Sequence, residues 1–153
     1  PLPSEGFLKT VCRHLDRHRL IATDLRVIPP LYVEVFVEAE VTVKAKSAPA
    51  GVKKRIEQAL AAFLDPLRGG AQKTGWPFGR SLYRSELGNL IERVEGVECL
   101  VRLHLQARGG TVRTDGDVEI PATALVCPAR FRIVAKEPSP LCEVTPCPSP
   151  AHP

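Results

Sequence analysis

Methionine is absent from the 153 residues, tryptophan occurs once, and aromatic residues make up only 5% of the chain. A chain that opens on proline without methionine reads as a piece of a longer polypeptide, with its N-terminal part missing. No apolar run approaches the roughly 18 residues of a membrane span, and the first residues lack the pattern of a secretory leader, so membrane insertion is not expected. No CxxC pair occurs among the five cysteines. Their odd number and wide scatter fit a reducing cytosol better than a disulfide framework. A basic block is also missing. The net charge of +4 comes from scattered arginines, which permits a nucleic-acid partner without indicating one.

The motif inventory is equally thin. There is no GxSxG elbow for a serine nucleophile, no GxxxxGK[ST] loop and no GxGxxG turn. "RGG" occurs at 68–70 and again at 108–110, and "GWPFGR" is bracketed by glycines. Pro77, however, removes a backbone N–H that a phosphate nest would use, so a glycine-containing turn is the simpler reading.

What remains is ordinary globular material. Hydrophobic residues form 44% and charged residues 25% of a chain long enough to bury a core without staples. Residues 5–18 have helical periodicity, with Leu8, Val11, Cys12 and Leu15 on one stripe and Ser4 as N-cap. "ATDLRVIPP" reads as a short strand stopped by Pro29 and Pro30.

"LYVEVFVEAEVTVKAK" alternates with period two. Val33, Val35, Val37, Ala39, Val41 and Val43 share one face; Tyr32, Glu34, Phe36, Glu38, Glu40 and Thr42 share the other. A helix of about 15 residues follows, with Val52, Ile56, Ala59, Leu60, Phe63 and Leu67 as its stripe. A second helix opens at Ser85 as N-cap, with Glu86 on its positive end. It buries Leu87, Leu90, Ile91 and Val94, and Gly96 terminates it.

"VECLVRLHL" is a strand with Val97, Cys99, Val101, Leu103 and Leu105 inward. A hairpin-type loop leads to a broken strand or hairpin in which Phe131 and Ile133 alternate with Arg130 and Arg132. Residues 137–153 hold six prolines and cannot build a core. The expected fold is α+β: an antiparallel sheet with two helices packed on one face, an N-terminal helix and connecting strand over 1–30, a domain over 31–136, and a proline-rich tail or linker over 137–153.

The chemistry-bearing side chains make weak constellations. His14 and His18 sit one helical turn apart beside Cys12, yet four converging ligands are needed for structural zinc. A core cysteine with surface histidines is the plainer reading. Cys142, Cys147 and His152 lie in the tail at a spacing unsuited to a zinc knuckle. His104 is on the outward face of its strand, and the acidic residues suggest no acid–base pair. Neither a catalytic residue, a metal, a cofactor nor a small-molecule substrate is therefore expected. On the open sheet face, Tyr32 and Phe36 are flanked by Glu34, Glu38 and Glu40, a pattern that repels phosphate and suits a protein partner or a neighbouring copy. Tyr32, Phe36, Arg130 and Arg132 are the candidate interface residues.

The corner Gly75, Trp76, Pro77, Phe78 and Gly79 has the makings of a fixed turn. A tryptophan can bury about 150–250 Å², worth about 4–6 kcal/mol at most. The glycines permit sharp entry and exit, and Pro77 stiffens the middle.

From "VIPPLYVEVFVEAEV" through "FLDPLRGG" and "GWPFGR" to the "SEL" helix start and "VEGVE", the chain closely resembles the C-terminal part of baseplate J-like proteins. These are wedge components of contractile phage tails and related injection systems. "IPATALVCPARFRIV" looks like the family's closing strand, and the resemblance spans about residues 7–135.

The resemblance implies a structural protein with no catalytic residue or cofactor. It would pair with other wedge subunits and with copies of itself, first in the cytoplasm and then within a phage tail or injection particle. A nucleic-acid-binding α+β module is the alternative.

Overall fold

The computed structural model describes residues 2–137, and the expectations for the tail cysteines Cys142 and Cys147 lie outside them. The elements, in order, are α1 (Glu5–Asp16), β1 (Leu31–Val43), α2 (Pro49–Phe63), α3 (Arg84–Glu92), β2 (Val97–Arg108), β3 (Thr111–Val112), β4 (Val118–Glu119) and β5 (Ala124–Lys136). The class is α+β, with β1 as the middle strand of a β2-β1-β5 sheet and β3-β4 as a separate hairpin.

β1 runs antiparallel to β2 but parallel to β5. The sheet is therefore mixed rather than wholly antiparallel. A hairpin cannot join parallel neighbours, and the chain instead passes from β2 on one edge to β5 on the other by way of β3 and β4.

The period-two pattern of β1 is realised fully. Val33, Val35, Val37, Val41 and Val43 are each at most 1% exposed, and Ala39 is buried beside them. α2 lies over the β5 side of this face and α3 over the β2 side. α2 contributes Val52, Ile56 and Leu60; α3 contributes Leu87 and Ile91. α3 ends at Glu92 with Arg93 as its C-cap, so Gly96 does not terminate the helix as expected; at φ +94° it instead makes the turn into β2, where Val52 Cγ2 would lie 2.8 Å from an added Cβ. Arg55 Nε donates to the Glu95 carbonyl at 3.1 Å, tying the two helices together at that end.

Several sequence expectations change. Residues 22–30 form no strand, because Pro29 and Pro30 cannot donate to a ladder and Ile28 stays exposed. α1 forms as expected, with Ser4 Oγ accepting from the Phe7 N–H at 3.2 Å. None of its residues is buried, so Cys12 is not a core cysteine. α2 stops at Phe63, which places Leu64 rather than Leu67 in the core: Leu64 is fully buried and Leu67 is 64% exposed.

In β2, bulges at 98 and 101 shift the register, so Val41 faces Leu100 and not Val101. Val101 turns outward while Leu103 and Leu105 remain buried. Thr42, assigned to the open face, is buried where it lies between Cys99 and Lys136. β5 is one continuous strand with a bulge at Ala129, after Pro128.

Candidate functional site

Two features are positioned by this frame: the tryptophan corner beside the helices, and the sheet face that the helices leave open.

The corner is built by two sequence segments that clasp each other. After α2, Asp65 Oδ1 accepts from the N–H groups of Leu67 and Arg68 at 2.7 and 3.0 Å, folding the chain into a tight turn. Gly70 N–H then donates to Phe63 O, Gly75 N–H to Gly69 O, and Trp76 N–H to Pro66 O, at 2.8–3.1 Å. This leaves Trp76 4% exposed. Its indole N–H donates to the Arg80 carbonyl at 3.0 Å, and its ring meets Phe63 edge-on with centroids 5.6 Å apart. The Arg80 guanidinium sits 4.8 Å from the indole centroid, a cation–π arrangement, and also pairs with Glu86 in the first turn of α3.

Gly79 (φ +69°) has Ala122 Cα 2.9 Å from where a Cβ would stand, and its N–H bonds Ala124 O, which ties the corner to the start of β5. Phe78 is 59% exposed at the rim.

The opening of α3 differs from expectation. Ser85 is exposed and inside the helix, and the N-cap residue is Tyr83, which makes no side-chain cap bond. Asp117, from the loop before β4, supplies the acceptor instead: its Oδ1 takes the Arg84 N–H at 2.7 Å. Arg84 Nε in turn donates to the Leu103 carbonyl of β2 at 3.0 Å. Sequence proximity gave no sign of this 33-residue link.

Between α2, α3 and the 69–73 loop lies a groove of about 480 Å³ lined by Ala59, Ala62, Phe63 and Leu90, with Asp65, Arg68 and Lys73 on its rim. Glu86 Oε2, next to this groove, is buried and has no hydrogen-bond partner among the described residues.

On the open sheet face, Tyr32, Glu34, Phe36, Glu38 and Glu40 are all half-buried. The register sets Phe36 between Gln106 and Arg130, Glu38 between His104 and Arg132, and Glu40 between Arg102 and Val134. Glu34 pairs with Arg108 and Glu38 with Arg132, each at 3.6 Å, while Glu40 pairs with Lys136. The expectation of an acidic face does not survive this pairing. Three carboxylates stand between columns holding five cations: Arg102, Arg108, Arg130, Arg132 and Lys136. Exposed, solvent-screened pairs of this kind stabilise little, so they select neighbours more than they hold the fold together.

The hydrogen bond from Lys136 holds the Glu40 carboxyl below its ordinary range. Burial pushes the Cys127 thiol up, so it stays protonated at neutral pH.

The structure brings Tyr32, Phe36, Arg130 and Arg132 onto one surface. It keeps the corner residues on the helix side and does not bring the two groups together. The His14 and His18 rings approach to 5.3 Å between centroids at a tilt of 57°, but no set of three His, Cys, Asp or Glu among the described residues is placed to hold a metal. Cys12 and Cys127 are free thiols. No helix among the described residues is long and apolar enough to cross a membrane. No protein-family model matches the chain, and no curated protein matches it.

Proposed function

We propose that this chain is a structural domain of a contractile-tail or injection-system baseplate, joining wedge subunits through protein–protein contacts. One observation carries the reading. "FLDPLRGG" and "GWPFGR", two separated marks of the baseplate resemblance, form a single clasp through Phe63–Trp76 packing and the Pro66 and Gly69 carbonyls. Their joint presence has a structural reason, since each segment completes the other. The open face suits the same role, because a charge-patterned sheet recognises a partner by complementarity rather than by chemistry.

Size-exclusion chromatography with light scattering, together with co-purification against the products of neighbouring genes, tests the proposal. Self-association or retention of a wedge subunit is the expected result. A strict monomer that retains none of them refutes it. Sheath, tube and spike genes alongside would add independent support.

A nucleic-acid-binding module is the second reading, favoured by the cations nearest the two aromatics: Arg130 lies across from Phe36, and Arg108 across from Glu34 between Tyr32 and Phe36. Phosphate contacts are strongest at low salt, so a filter-binding titration without retention under those conditions removes it.

A further inference from the structure

We infer that the free edge of β5 accepts an added strand from another polypeptide, one whose residues alternate between apolar and acidic. This deepens the assembly reading, on which it rests for its biological setting, by stating the chemistry of the partner.

Among the described residues β5 has a strand neighbour on one side only, β1. Backbone N–H and C=O groups along the other side have no ladder to join, and such a row is a ready template for pairing. Pro128 lacks an N–H and Ala129 bulges, which confines the usable stretch to residues 130–136.

Along that stretch the two faces differ in kind. Arg130, Arg132, Val134 and Lys136 are exposed on the open side, while Phe131, Ile133 and Ala135 are half-buried to buried on the core side. A strand lying beside them meets cations on one face and hydrocarbon on the other.

β1 is already a neighbour of this type. It offers Glu38 to Arg132 and Glu40 to Lys136, and presents Val37, Ala39 and Val41 to the core. Arg130 stands across from Phe36 and has no carboxylate partner among the described residues, so one cation is left for an incoming acid. A second copy of β5 is a poor occupant, because edge-to-edge pairing would set Arg130, Arg132 and Lys136 against one another at cross-strand distance, where like charges destabilise. The charge pattern therefore selects a different, acidic strand.

The probe is a short capped peptide alternating valine and glutamate, compared with its valine–lysine counterpart by fluorescence anisotropy and amide hydrogen exchange at low ionic strength. The glutamate peptide is expected to bind about tenfold tighter than the lysine peptide, as an attractive pair at Arg130 set against a repulsive one allows, and to slow exchange within residues 130–136. Arg130→Glu, at an exposed position without an ion pair, should weaken it, and Arg130→Glu with Arg132→Glu should reverse the preference toward lysine. Absence of protection on β5, or a preference that survives the charge swap, overturns the inference. The two readings fail separately: a protein that assembles but shows no edge preference loses only this site, and one that passes here but binds no wedge subunit loses only the assembly reading.

Discussion

Replacing Trp76 with alanine is the most direct test of whether the corner is a packing device. The ring is 4% exposed, so nearly all of its surface leaves water on folding. At about 25 cal/mol/Å² over about 150–250 Å², its transfer is worth about 4–6 kcal/mol as an upper bound. Truncation also leaves a cavity beside Phe63 and strips the Arg80 carbonyl of its indole donor. Large-to-small changes of this kind cost about 3–5 kcal/mol. Set against a total stability of about 5–15 kcal/mol, Trp76→Ala removes a large share. With a denaturation slope near 2 kcal/mol/M, the urea midpoint should fall by about 2 M. Trp76→Phe keeps an aromatic ring against Phe63 but loses the donor and part of the buried ring volume, so its cost should be smaller, about 1–3 kcal/mol. Both are read from equilibrium urea unfolding followed by circular dichroism. An unchanged midpoint for Trp76→Ala combined with lost subunit binding would refute the packing argument and make the ring a contact anchor.

Asp117→Ala should cost about 1 kcal/mol in the same assay, since the Arg84 N–H loses the acceptor that caps α3; an unaffected midpoint would mean solvent replaces the carboxylate freely. Leu100→Ala should destabilise more than Val101→Ala by roughly 1–3 kcal/mol, because the β2 bulge turns Leu100 toward β1's core face and Val101 outward. The opposite order would contradict the bulge. Glu40 gives a pH prediction. Its folded-state pKa is depressed by Lys136, so the pair's contribution is present above the unfolded-state value and is lost as pH falls through the lower folded-state value. Lys136→Ala should therefore move the Glu40 titration upward in carboxyl-carbon NMR, and an unmoved midpoint would rule out that ion pair as the cause.

Local pattern was enough for much of this protein. The alternating valines of β1, the Val52–Ile56–Leu60 stripe of α2, the Ser4 cap and the left-handed Gly96 follow from periods and residue types that act within a few positions. Long-range pairing escaped the same reasoning. Nothing near Ser85 reveals that Asp117 takes over the cap, because the two are joined only when the hairpin packs beside α3. Strict period-two counting put Val101 in the core and Leu100 outside, since a bulge changes the phase without changing composition. Read alone, β1's glutamates made an acidic sheet face. Only the parallel docking of β5 and the antiparallel docking of β2 set arginines and a lysine against them. Charge alternation along one strand belongs to the sequence, but the charge of a surface depends on which strands become neighbours, and tertiary packing decides that.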